Sequence, residues 1–150
     1  MATEIPPRGR EVRTVRESGE ARRPLIVLIV DFSPMMRAML KRVIQLSRVP
    51  IAEIFEAANG KEALAVLDSK PVDALFTTLS MPEMSGIELL HHVYERPEWD
   101  GMLRVAVGAN VSTESRLELN QLKVERIVET PFRPEIVREI LLERVGHTCR

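Results

Sequence analysis

The sequence predicts an α/β fold, a doubly wound five-stranded parallel sheet with five helices shared between its two faces. Three observations lead there. From Pro24 onward, short apolar strand-like runs alternate five times with segments of helical spacing. The first run, Leu25-Ile-Val-Leu-Ile-Val30, is apolar at all six positions, the pattern of a strand covered on both faces. Capping residues stand where the helical segments begin, as at Ser33-Pro34, Asn59 and Ser85-Gly86.

Each element has its own warrant. After the first strand, Met36, Met39, Leu40, Val43 and Ile44 recur at spacings of three and four and form one face of a helix. The methionines on that face read as core filler. Ile51 to Ala57 is a second, shorter strand, and Asn59 caps a helix from about Gly60 to Leu67. Ala74 to Leu79 is the third strand. Ser85-Gly86 opens a helix whose apolar face is Ile87, Leu90 and Tyr94. Leu103 to Val107 is the fourth strand, and Ser112 to Leu122 a weaker helix with Leu119 and Leu122 inward. Arg126 to Val128 is a short fifth strand. Pro134 starts the last helix, with Ile136, Val137, Ile140 and Leu141 inward. Right-handed crossovers then distribute the helices over both faces.

Composition bounds the function. A chain of 150 residues suits one domain, with 45% hydrophobic residues for a core and 29% charged residues for a surface. The formal net charge is −1, and no basic stripe is evident, so nucleic acid is not the expected partner. No apolar run approaches the roughly 18 residues of a spanning helix, so no membrane insertion is expected. The charged N-terminus lacks the apolar core of a secretory signal. The lone cysteine, Cys149, cannot form an internal disulfide, which fits a cytoplasmic location. Residues 1–23 hold six arginines and four glutamates, a balance of +2 that leaves −3 for residues 24–150. They read as a disordered charged extension, followed by a domain over 24–146 and a tail over 147–150. The extension is a basic arm for a partner or, more simply, a solvated tail.

Ligand sites in such sheets lie beyond the C-terminal ends of the strands. Those ends carry Asp31 and Phe32, Thr78, Gly108 and Thr130.

Three stretches at these ends resemble the receiver domain of two-component response regulators, the flavodoxin-like module with strand order 2-1-3-4-5. They are Leu28-Ile-Val-Asp-Phe-Ser-Pro-Met-Met-Arg37, Leu79-Ser-Met-Pro-Glu-Met-Ser-Gly86 and Thr130-Pro-Phe-Arg-Pro134. Each is weak alone; in order and at family spacing they are strong. The resemblance spans residues 25 to about 145. It implies a phosphoacceptor aspartate four residues before the loop proline, which is Pro82, so the acceptor position is Thr78. It also implies two acidic residues after the first strand, where Asp31 and Phe32 stand. The family's switch hydroxyl maps to Gly108, its lysine to Thr130 and its switch aromatic to Ile127.

Four of five polar positions of that pocket are thus replaced, which points to a pseudo-receiver. Mg²⁺ prefers octahedral oxygen coordination with carboxylates, and Asp31 alone remains, so binding is expected to be weak or absent. A threonine nucleophile needs a general base, and His91, His92 and His147 lie away from the strand ends. Thr78 is therefore read as a satisfied hydroxyl, the emptied pocket as filled by Phe32, and the chain as a non-enzyme. The expected function is phosphorylation-independent binding of a signalling protein. The resemblance implies a partner or homodimer surface on the fourth helix, fifth strand and fifth helix. Its exposed residues are Arg116, Glu118, Lys123, Arg126, Arg138 and Glu139, whose mixed charges suit specificity. Alternatives are a receiver with unusual acceptor chemistry and a small-molecule sensor.

Overall fold

In the computed structural model, which describes residues 23–131 and 133–148, strand and helix alternate throughout. The order is β1 (Leu25–Val30), α1 (Pro34–Leu46), β2 (Ile51–Ala57), α2 (Gly60–Ser69), β3 (Ala74–Thr78), α3 (Gly86–Tyr94), β4 (Leu103–Gly108), α4 (Thr113–Gln121), β5 (Arg126–Glu129) and α5 (Pro134–Thr148). A single 3₁₀ turn over Pro97–Trp99, not anticipated from the sequence, links α3 to β4. All strands are parallel and ordered β2-β1-β3-β4-β5. This is the expected flavodoxin-like arrangement.

The continuous apolar run of β1 has its predicted cause. Leu25, Val27 and Ile29 join a core layer with Leu40, Ile44, Val137, Ile140 and Leu141 of α1 and α5. Leu28 and Val30 join the opposite layer with Leu67, Leu89, Leu90, Val93 and Leu119 of α2, α3 and α4. Successive side chains alternate faces, and both faces are buried, so every position must be apolar.

Two helix faces differ from expectation. On α1, Leu40 and Ile44 are buried, but Met39 is exposed and fills no core. β2 is an edge strand, so α1 is flanked by α5 on one side only, and its outer flank, Met39 included, stays in solvent. On α3, the inward stripe is Gly86, Leu89, Leu90 and Val93, whereas Tyr94 is exposed beneath the ammonium of Lys123. The stripe is rotated by the contact that Gly86 makes with β3. A Cβ on Gly86 would lie 2.0 Å from the Thr78 carbonyl oxygen, so this face must point inward and only glycine fits.

Boundaries shift slightly. β3 stops at Thr78, one residue short of the sequence reading, and α5 continues to Thr148. Arg23, assigned to the extension, is tied to the domain by paired bonds to Asp73 at 2.8 and 3.3 Å. The rest of the extension and Cys149 lie outside the described residues.

Candidate functional site

A cleft of about 390 Å³ opens at the C-terminal ends of β1, β3, β4 and β5. Asp31, Thr78, Gly108 and Thr130 all line it, so the topology assembles four of the five residues predicted there. Phe32 does not join them. It is 60% exposed and lines no part of the cleft, so the expectation that it fills the pocket is incorrect. The reason is the turn after β1. Asp31 is turned inward and its Oδ1 accepts the Ser33 amide at 2.8 Å. The next side chain of an extended segment then points out. Ser33 in turn accepts the Met36 amide at 3.2 Å and caps α1 as its sequence predicts.

The turn supplies one carboxylate, since both neighbours of Asp31, Val30 and Phe32, are apolar. Asp31 is 7% exposed. Arg37, in the helix that follows, does not pair with its carboxylate. Arg37 donates to the Asp31 carbonyl at 2.6 Å and to Glu56 Oε1 at 3.0 Å. Among the described residues lining the cleft, Asp31 is the only charged one. No group of three or more potential metal ligands occurs among the described residues.

Thr78 sits at the last position of β3. Its hydroxyl donates to the Val30 carbonyl across the β1–β3 boundary, a long bond of 3.4 Å. Among the described residues lining the cleft, the one ionisable group is the Asp31 carboxylate, and its recorded hydrogen bond is to the Ser33 amide rather than to Thr78. His91 instead holds Glu118 Oε2 at 2.7 Å between α3 and α4. The Thr78 hydroxyl thus points its proton at a main-chain carbonyl and is hydrogen-bonded to neither a histidine nor a carboxylate.

Sequence reasoning missed Leu79 and Val111. A Cβ on Gly108 would stand 3.3 Å from Val111 Cγ2 and 3.5 Å from Leu79 Cδ1. These two side chains occupy the flank of Gly108, and only the folding of two separate loops brings them there. The first loop is held by the Gly86 amide on the Leu79 carbonyl at 2.9 Å and by a capping box between Ser85 and Glu88. Ile127 is half-buried and packs on the α2–α3–α4 core layer, as an isoleucine should.

The six predicted interface side chains are less free than their composition suggests. Arg116 pairs with Glu129, bridging α4 to the end of β5. Glu118 is half-buried and engaged by His91. Lys123 lies 5.7 Å from the Tyr94 ring and 3.9 Å from Asp100. Arg126 is half-buried and 3.4 Å from Glu143. Arg138 donates to the Ser47 carbonyl at 2.9 Å, tying α5 to the end of α1. Glu139 is exposed. Surface pairs of this kind contribute about 1 kcal/mol or less, but they orient the side chains along the protein's own surface.

A third residue without a sequence signal is Arg104, 1% exposed at the second position of β4. Its guanidinium donates to the Leu122 carbonyl at 3.3 Å and to the Trp99 carbonyl at 3.0 Å. Burial pushes its pKa down, while Asp100 and Glu125 oppose that shift. It ties the C-terminal end of α4 and the 3₁₀ turn to the sheet.

A family model for the response regulator receiver domain matches residues 27–142. A chemotaxis protein CheY homolog of Campylobacter jejuni is 29% identical over 121 residues, covering 80% of this chain and 92% of that protein. Chemotaxis protein CheY1 of Helicobacter pylori is 28% identical over 116 residues, covering 77% and 92%. The structure of chemotaxis protein CheY4 of Vibrio cholerae superposes with a TM-score of 0.72 at 27% identity, over 82% of this chain and 99% of that one. No helix among the described residues is long and apolar enough to cross a membrane. The strand order, the cleft at the strand ends and the matched residues together mean that this chain belongs to the response regulator receiver domain family of two-component signalling.

Proposed function

We propose that this receiver domain signals by binding a protein partner without being phosphorylated, and that it is not an enzyme. The observation that carries the reading is the charge of the cleft. Among the described residues its single charged lining side chain is Asp31, with Thr78 at the acceptor position and Thr130 where the family's lysine would stand. Phosphoryl transfer rests on positioning plus electrostatic stabilisation of the transferring group. One buried carboxylate and no cation would repel a phosphoryl group. The same donor set suits Mg²⁺ poorly, because that ion is ordinarily held by carboxylates with waters. Incubation with acetyl phosphate and Mg²⁺ is expected to leave the intact mass unchanged, and millimolar Mg²⁺ to leave the melting temperature unchanged. A one-phosphate gain in mass that disappears in Thr78→Ala would overturn the reading.

The partner surface we assign first is α1 rather than the α4–β5–α5 face. Phe32, Met35, Met39 and Leu46 are exposed on α1 and its entry turn, Met35 at 76%. Their spacings of three, four and seven keep them on one side of the helix. Exposed apolar clusters of this kind mark interaction sites. The helix has no acid of its own; Arg37 and Lys41 are engaged by Glu56 of β2, which leaves Arg42 and, just beyond the helix, Arg48 as its exposed positive charges. The complementary occupant is an acidic amphipathic helix of another protein. Met35→Asp combined with Met39→Asp is expected to abolish partner capture while shifting the melting temperature little, since both side chains are exposed. Capture that survives this pair but is lost on Arg126→Glu would return the interface to the fifth strand.

A further inference from the structure

The emptied cleft retains one feature that neither its history nor a partner surface explains. Asp31 is a carboxylate more than nine-tenths buried, and it faces a cavity large enough for a ligand. Its Oδ1 is engaged by the Ser33 amide. Among the described residues no group donates to Oδ2, and this atom is not sealed from solvent as the orphaned Nε atoms of Arg104 and Arg144 are. Oδ2 therefore opens on the cleft, where a cation or hydrogen-bond donor that enters would meet a carboxylate otherwise shielded by the protein. Arg37, whose guanidinium reaches the Asp31 carbonyl, is committed to main-chain carbonyls and Glu56.

The rest of the lining says what kind of cation fits. Thr78, Ser80, Ser112, Ser115 and Thr130 present hydroxyls. The Thr78 hydroxyl, spent as a donor on one long bond, keeps its lone pairs for an incoming donor. Met36, Leu79, Val107 and Val111 present apolar surface beside them. The volume of about 390 Å³ falls at the small end of ligand pockets. An ammonium group has three donors and one positive charge, matching one carboxylate with neighbouring hydroxyls. A divalent ion asks for more oxygens with more charge. An alkyl chain attached to the ammonium would lie against the apolar side.

We infer that the cleft at the strand ends binds a primary alkylammonium group, with Asp31 as its countercharge. The group could be carried by a free small amine or by a lysine side chain. The site is independent of the α1 surface, so each can fail alone.

The test is amide chemical-shift titration of the full chain at constant ionic strength, which removes non-specific screening. The probes are n-butylammonium, its neutral isostere n-butanol, its anionic counterpart butyrate, and Nα-acetyl-lysine amide. Saturable shifts at Ser80, Gly108 and Thr130 are expected with n-butylammonium and not with butanol or butyrate. Tighter binding of the lysine amide than of n-butylammonium assigns the natural group to a peptide; the reverse assigns it to a free amine. Asp31→Asn keeps an oxygen to accept the Ser33 amide, so the turn should persist, and affinity should fall about tenfold or more. Thr130→Lys places a competing ammonium at the rim and should also abolish binding without touching the Asp31 turn. Equal shifts with butanol, unchanged affinity in both variants, or tighter saturation of the same amides by Mg²⁺ than by n-butylammonium would overturn the inference.

Discussion

Gly86→Ala is expected to destabilise the protein by about 3 kcal/mol, among the larger effects of a single methyl. Its added Cβ would lie 2.0 Å from the Thr78 carbonyl oxygen and 2.8 Å from Leu79 Cα. Both neighbours are main chain at the end of a central strand, so neither can rotate away. Relief requires the Pro82 loop to lift, which breaks the 2.9 Å bond from the Gly86 amide to the Leu79 carbonyl and strains the Ser85–Glu88 capping box. For a domain of this size, the loss corresponds to roughly 10 °C in melting temperature. Gly101→Ala is the matched control, since its Cβ would meet only a guanidinium nitrogen at 4.0 Å. A Gly86→Ala protein that melts within about 2 °C of the parent would mean that the loop does not press on β3 as described.

Arg104 carries the second large effect, and its direction depends on the substitution. Arg104→Ala removes the buried side chain, opens a cavity in the layer beneath α4, and leaves the Leu122 carbonyl without the guanidinium. The expected cost is about 3 kcal/mol. Arg104→Met keeps most of the volume and removes a desolvated charge. Buried charges contribute little net stability once their desolvation is counted, so the expected cost is only about 1 kcal/mol. Chemical denaturation of both variants checks this. Equal losses for Met and Ala would show that the two hydrogen bonds, rather than packing, hold α4 to the sheet.

These two residues also mark where sequence reading stopped. Arg104 lies inside the run Leu103-Arg-Val-Ala-Val107, and an arginine in a strand gives no sign of being buried. What buries it are two carbonyl groups, one from the end of α4 and one from an unanticipated 3₁₀ turn. Gly86 was visible as a helix start and as part of a loop motif, but the backbone contact that forbids a side chain there was not. Phe32 was misplaced for a related reason. Its position beside Asp31 suggested that both face the pocket, whereas adjacent side chains in the turn diverge. The interface charges were legible as charges, yet Arg116, Lys123, Arg126 and Arg138 each find a partner within the chain.

Much was set by local chemistry alone. The periodicity of β1, α1 and α5, the caps at Ser33, Asn59 and Ser85, and the alternation of strands with helices were sufficient for the parallel sheet. Strand ends follow from that topology, so the meeting of Asp31, Thr78, Gly108 and Thr130 at one cleft followed too. Local pattern decides these because hydrophobic spacing and backbone capping act over a few residues. Only the tertiary structure decided which apolar side chains stay in solvent. Met35 and Met39 are exposed because the sheet ends at β2 and no neighbouring helix covers the outer side of α1. It alone also left the Asp31 carboxylate facing a cavity with one oxygen unpartnered among the described residues, since the cavity and its lining are set by residues distant in the chain.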